Sequence, residues 1–252
     1  MQKIEIMGIS FDNVTLTEAV ELAFSFEENG KQVVAVTPNA EIMELCRRSA
    51  DVKKALISAE IILPDGEGVI WASEKFGVPL KEKVAGVEFG MECARRAAHN
   101  GKSVFLLGGR PGVAEKAANN LCARFPRLKI AGVHDGYFDF AGEENSAVIS
   151  EINRSGADVL FVCIGAPLQE KWVYKNRAAL SSARLIACLG GSLDIYAGEA
   201  KRAPALFIKS RAEWLWRLLR EPRRIVRMIN LPKFVISVYR YKRKLKKTRN
   251  IK

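Results

Sequence analysis

Six short segments of this chain are apolar almost throughout, and each runs into a polar or glycine-rich turn. They lie at 32–37, 60–63, 103–107, 129–133, 158–164 and 184–189. A strand with one face in water alternates apolar and polar residues, whereas a strand apolar along its length must be covered on both faces. Helical patterns fill the gaps at 15–29, 39–58, 67–76, 86–99, 112–124, 144–154 and 169–180. This alternation predicts an α/β fold, a Rossmann-like, largely parallel sheet with helices on both faces.

The last quarter of the chain follows a different pattern. From Lys201 to Lys252 there are 18 Lys or Arg and two acids, Glu213 and Glu221, although the whole chain carries only +12. The first 200 residues are therefore slightly acidic. From Ala203 onward the sequence carries no strand signal, and Pro204, Pro222 and Pro232 divide it into three expected helices, since proline is tolerated in a first turn and rarely inside. The final ten residues are expected to fray. Two units follow: an α/β body over 1–200 and a basic helical appendage over 201–252.

Five cysteines (Cys46, Cys93, Cys122, Cys163, Cys188) are widely spaced without a C-x-x-C pair, which argues against a disulfide framework or a thiolate zinc site. Their apolar neighbours mark them as core residues. Met1 to Ile9 lacks a basic-then-apolar signal. No apolar run reaches the roughly 20 residues of a spanning helix. These features fit a cytoplasmic chain that does not cross a membrane.

In an open parallel sheet, ligands bind beyond the carboxyl ends of the strands. The residues there are Thr37-Pro38-Asn39, Pro64-Asp65-Gly66, Gly108-Gly109, His134 to Phe138, Gly165 to Trp172 and Gly190 to Asp194. Each also has a structural reading. Gly108 and Gly109 suit a tight βα turn, and without full G-x-G-x-x-G spacing they signal a dinucleotide only weakly. An anion at the following helix N-terminus fits them better. Asp65 could be a helix N-cap, and Gln169 could cap its own helix. His99 and His134 have no partner histidine, and no H-E-x-x-H or D-x-D pair is present, so no metal site is expected.

Nine strings together resemble the bacterial TagA/WecG/CpsF family of glycosyltransferases: TPNAEI (37–42), PDGEGV (64–69), KVAG (83–86), LLGG (106–109), DGYF (135–138), GAPLQEKW (165–172), GGSLDIYAG (190–198), KRAP (201–204) and EWLWRLLREPRR (213–224). The resemblance implies inverting transfer of a sugar, N-acetylmannosamine, from a UDP donor to undecaprenyl-diphosphate-linked GlcNAc in cell-wall or surface-polysaccharide synthesis. It implies neither an essential metal nor a cofactor. Carried over by position, Asp65 is the general base and Thr37, Asn39, Lys83 and Gln169 bind substrate. Arg217, Arg224 and Arg227 come over the site from the tail. Gly108, Gly109, Tyr137, Gly190, Gly191 and Asp194 hold the nucleotide. The family usually has Arg where Lys83 stands and Asp where Glu88 stands; Lys keeps the charge without the bidentate fork.

Interleaved Phe207, Trp214, Trp216, Phe234, Tyr239 and Tyr241 among so many cations suit a helix lying in a lipid interface. The expected partners are a UDP-sugar, a polyprenyl-diphosphate-linked acceptor, an anionic membrane surface at its cytoplasmic face and, optionally, a second copy of the chain. Nucleic acid is not among them. Two other classes are carried alongside: a nucleotide-cofactor oxidoreductase, and a nucleic-acid-binding protein acting through the basic tail.

Overall fold

Successive side chains of a strand point to opposite faces of a sheet, and in the computed structural model both faces are sealed over five of the six strands of the main sheet, while the edge strand Lys129–His134 stays partly exposed. The structure describes residues 2–200, Phe207, Trp216 and residues 230–249. A hairpin of β1 (Lys3–Ile6) and β2 (Ile9–Asp12) precedes β3 (Val33–Val36), β4 (Ile61–Ile62), β5 (Ser103–Gly108), β6 (Lys129–His134), β7 (Val159–Cys163) and β8 (Leu185–Cys188). Strands β3 to β8 form one sheet in the order β4-β3-β8-β7-β5-β6, with every pair parallel.

The helices are α1 (Leu16–Ala23), α2 (Phe26–Asn29), α3 (Ala40–Arg48), α4 (Ala50–Ile57), α5 (Glu67–Phe76), α6 (Gly86–His99), α7 (Val113–Arg124), α8 (Glu143–Ser155), α9 (Leu168–Asn176), α10 (Ser192–Tyr196) and α11 (Asn230–Arg249). Val34, Val36, Leu160, Val162 and Ile186 face a core shared with α3, α4, α8, α9 and α11. Val33, Ala35, Val159, Phe161 and Leu185 face the opposite core, under α1, α6, α7 and α10. The expected doubly covered sheet is thus present, and it is wholly parallel. Four of the five cysteines are buried and all are free.

The structure corrects several boundaries. The expected helix 15–29 is two helices: a capping box of Thr15 and Glu18 starts α1, and Phe24 leaves helical geometry before α2. The expected helix 39–58 breaks at Ser49, which is extended (φ −129°, ψ 113°) and accepts from the Val52 N–H through Oγ. The β1–β2 hairpin was not expected at all. It turns at Met7 (φ 54°) and Gly8 (φ 78°), and Asp12 Oδ2 accepts from the Ile62 N–H of edge strand β4 at 2.8 Å. That bond covers a donor which a bare sheet edge would leave open.

Of the appendage, the structure describes α11, where Pro232 falls in the first turn as expected; the helix extends to Arg249, and residues 250–252 lie outside the described residues. Pro204 and Pro222 lie outside the described residues. Helix α11 packs on α3 and α5 through Phe234 and Val238, both essentially sealed from solvent. Beside them Ser237 Oγ donates to Glu44 Oε2 at 2.9 Å. Burial works to raise the Glu44 pKa, but hydrogen bonds from Arg47, Ser237 and Arg48 hold the carboxyl below its ordinary value. Tyr239 lies edge-on to Trp71 and Tyr241 edge-on to Phe76.

Phe234 is the apolar anchor of this docking. Phe234→Ala should cost about 3–5 kcal/mol, the usual range for emptying a sealed aromatic site, read as a lower urea midpoint at unchanged slope.

Candidate active site

Because all six strands of the main sheet run the same way, their carboxyl ends meet along one edge, and the loops leaving them are tied to their neighbours in the order of the strands. At the β4 end, the Asp65 N–H donates to Pro38 O at 3.2 Å, joining that loop to the one after β3. The Thr37 hydroxyl donates to Cys188 O at 3.2 Å, joining β3 to β8. The Gly190 N–H, just past β8, donates to Gln169 Oε1 at 2.9 Å, joining β8 to the loop after β7. The Gly109 N–H donates to Cys163 O, and the Gly136 N–H to Gly109 O, so β7, β5 and β6 are joined as well. Buried backbone groups must find partners, and here they find them across the sheet rather than along the chain.

Asp65 is half-buried and stands one residue before Gly66, which holds the N-cap position of α5 with no side-chain cap bond. The N-cap reading of Asp65 is therefore set aside. Gly66 comes close to Asn39: a Cβ there would lie 3.7 Å from that of Asn39. Asn39 caps α3, its Oδ1 accepting from the Glu41 and Ile42 N–H groups at 3.0 and 3.1 Å. Lys83 pairs with Glu67 at 2.9 Å, and the Val84 N–H donates to Pro64 O. The segment 83–86 thereby closes against the Asp65 loop. A Cβ on Gly86 would stand 2.9 Å from Thr37 Oγ1, so the absent side chain lets α6 begin against β3. Thr37, Asn39, Asp65 and Lys83 belong to one cluster at the β4–β3 side.

Gln169 is buried, 2% exposed, and does not cap α9, whose N-cap position is Pro167. Its Nε2 donates to Glu170 Oε1 at 2.8 Å. Gly108 has a φ of 134°, and a Cβ there would come within 2.3 Å of Cys163 O. The glycine is required by the close passage of β5 and β7. Gly109 follows at φ 75°, and Gly112 at φ 84° occupies the N-cap position of α7. Asp194 lies in the first turn of α10, its Oδ2 3.7 Å from where a Gly191 Cβ would be. Tyr137, 70% exposed, belongs to a turn closed by Asp135 Oδ1 accepting its N–H. It helps line a cavity of about 320 Å³ beside β6, together with His134, Asp135, Phe138, Glu144 and Glu151.

The expected site residues that the structure describes thus fall into three sets along one edge. Thr37, Asn39, Asp65 and Lys83 stand at one side; Gly108, Gly109 and Tyr137 stand at the other, with Gln169, Gly190, Gly191 and Asp194 between. Arg217, Arg224 and Arg227 lie outside the described residues. Two acids escaped the sequence reading. Glu67, the partner of Lys83, and Glu170 were both in view, within the PDGEGV and GAPLQEKW strings, but were given no role. Glu170 follows Gln169 but is 2% exposed, and nothing in its sequence surroundings distinguishes it from a solvated helix residue.

The fold is an α/β fold in which the expected site residues gather along the carboxyl edge of a parallel sheet. The model of the glycosyl transferase WecG/TagA/CpsF family matches residues 4–248, and the chain belongs to that family. It is 34% identical, over 98% of its length and 96% of theirs, to proteins of Staphylococcus aureus strains MW2, MRSA252 and NCTC 8325 / PS 47. Each of those is named an N-acetylglucosaminyldiphosphoundecaprenol N-acetyl-beta-D-mannosaminyltransferase. The activity class is glycosyl transfer, which decides between the three classes that the sequence left open.

Gly108 gives a direct test of the edge geometry. Gly108→Ala should destabilise the protein by at least about 2 kcal/mol, from an unfavourable φ and a backbone collision. Urea denaturation measures the loss. An alanine variant as stable as wild type would mean that β5 and β7 pass further apart than described.

Proposed function

We propose that the protein is an inverting, metal-independent glycosyltransferase. It moves N-acetylmannosamine from a UDP donor to a polyprenyl-diphosphate-linked GlcNAc at the cytoplasmic face of the membrane, in cell-wall or surface-polysaccharide synthesis. The observation that carries this reading is Asp65, half-buried at the carboxyl end of β4 and tied by its own N–H to the Thr37-Pro38-Asn39 loop. The full-length likeness to transferases named for this reaction supports the acceptor and the transferred sugar.

In the reaction, the Asp65 carboxylate takes the proton of the acceptor hydroxyl as its oxygen attacks the anomeric carbon. The bond from that carbon to the UDP phosphate oxygen breaks on the opposite face, so the configuration inverts and UDP leaves with the electron pair. Thr37, Asn39, Lys83 and Gln169 bind the sugars. Gly108, Gly109, Tyr137, Gly190, Gly191 and Asp194 hold the nucleotide, with the amino end of α7 favouring its negative charge. Arg217, Arg224 and Arg227 of the appendage supply positive charge to the leaving diphosphate, a role that other transferases give to a divalent cation.

Residues 1–200 act as the catalytic body and 201–252 as an appendage that docks on the bilayer. No helix among the described residues is long and apolar enough to cross a membrane. The outward side of α11 shows Val235, Ile236 and Tyr239 alongside Lys233, Arg240, Arg243 and Lys244, all exposed. Apolar residues with flanking cations suit shallow insertion among anionic headgroups.

Mass-spectrometric detection of sugar transfer to a water-soluble analogue of the lipid-diphosphate GlcNAc tests the chemistry. Asp65→Asn should lower kcat about 10²–10⁴-fold with UDP affinity nearly unchanged, and wild-type turnover should persist in excess EDTA. Near-normal turnover of the variant removes Asp65 as the base, and silence in EDTA reversed by Mg²⁺ or Mn²⁺ removes metal independence.

Docking has its own measurement. Neutralising Lys242, Arg243, Lys244, Lys246 and Lys247 together should weaken cosedimentation with phosphatidylserine-containing vesicles, most at low salt, where screening is least. Unchanged cosedimentation would take these cations out of the docking surface.

A further inference from the structure

Glu170 is a carboxylate in an unusual place. It sits in the first turn of α9, 2% exposed, with Oε1 accepting from Gln169 Nε2 and Oε2 sealed without a hydrogen-bond partner. Side chains of a helix tilt toward its amino end, and the amino end of α9 lies at the carboxyl edge of the sheet, so Gln169 and Glu170 lean back toward the site. Burial pushes the Glu170 pKa up, against the hydrogen bond from Gln169. An orphaned buried carboxylate oxygen is costly, and an apolar residue of similar size would avoid that cost. Fold stability alone does not explain the carboxylate.

Its one side-chain partner does. A primary amide can be turned either way round, presenting oxygen or NH₂ to a neighbour. Gln169 must present oxygen to the Gly190 N–H, at 2.9 Å, and an acceptor on its other side makes that orientation the only satisfied one. Glu170 is that acceptor. We propose that Glu170 is a positioning residue: it fixes the Gln169 amide and, through it, the path of the Gly190–Gly191 loop that holds the nucleotide. The last clause rests on the nucleotide-site reading above. What the relay requires of Glu170 is an acceptor oxygen, which the carboxylate, the carboxylic acid and a glutamine amide all provide.

Glu170→Met and Glu170→Gln separate this role from a packing role. Three quantities are measured on the full chain: the melting temperature, the amide resonance of Gly190 in ¹H–¹⁵N spectra without ligand, and the dissociation constant for UDP. Glu170→Met should melt no lower than wild type, shift the Gly190 resonance and weaken UDP at least tenfold. Glu170→Gln should restore the resonance and bring UDP affinity to within threefold of wild type. A Gly190 resonance unmoved in Glu170→Met, or a glutamine variant as impaired as the methionine variant, would overturn the proposal.

If Glu170→Met does not fold, an exchange of the two residues takes its place. Gln169→Glu alone sets two carboxylates against each other and should displace Gly190. Adding Glu170→Gln restores a donor facing an acceptor and should return the resonance, and failure to return it counts against the relay. The Gly190 resonance needs no substrate, so wild-type protein that binds no UDP would count against the nucleotide reading alone.

Discussion

A sheet buried on both faces leaves its backbone no water, and where the ladder of strand hydrogen bonds stops, each exposed carbonyl or N–H needs another partner. Here the partners are the neighbouring loops. Cys188 O takes the Thr37 hydroxyl, Pro38 O takes the Asp65 N–H, Cys163 O takes the Gly109 N–H, and Gln169 Oε1 takes the Gly190 N–H. The positions to which the reaction is assigned are therefore also the positions that close the sheet. Thr37 and Gln169 both commit hydrogen-bonding capacity to structure, so a substitution at either disturbs the edge itself. At Asp65 the tie across the edge is made by the backbone N–H, to Pro38 O.

The fold was legible because its strands are apolar on both faces, a pattern that few other architectures tolerate, and the gathering of the expected site residues along one edge was legible because parallel strands send every carboxyl end there. The misses have physical causes. Lys3-Ile4-Glu5-Ile6 does alternate between exposed and buried residues, so the hairpin had a signal, but the strand is four residues long and turns at Met7-Gly8, with methionine where Asn or Asp commonly precedes the glycine. The break at Ser49 was hidden because apolar residues continue at helical spacing on both sides of it. The burial of Glu44 and Glu170 could not be read from sequence, because elements distant along the chain close over them: α11 covers the first, and α9, which carries the second, packs on α4 and β8. Burial pushes the Cys46 thiol up to about 11, and the charge of Glu170 works in the same direction.

The appendage shows what charge counting does and does not give. Its +16 excess in sequence suggested a surface-seeking helix, yet one side of α11 is as buried as the body, with Phe234, Ser237 and Val238 closed against α3 and α5. Helix α3 begins immediately after Thr37-Pro38-Asn39, and α5 immediately after Asp65-Gly66. Helix α11 thus rests on the two helices that carry these loops, and its outward side is held in a fixed relation to them.

The strand order has a further consequence when the chain is made from its amino end. Strands β3 and β4 can pair as soon as both exist, and β5, β6 and β7 can pair among themselves, but no strand pairing joins the two sets until β8 lies between β3 and β7. Val33 waits for Leu185. During synthesis the protein is two half-sheets, each with an apolar strand edge that another chain could claim. Distant pairing of this kind slows folding, and the step that ends the exposure is the insertion of four residues, Leu185–Cys188, into the centre of the molecule.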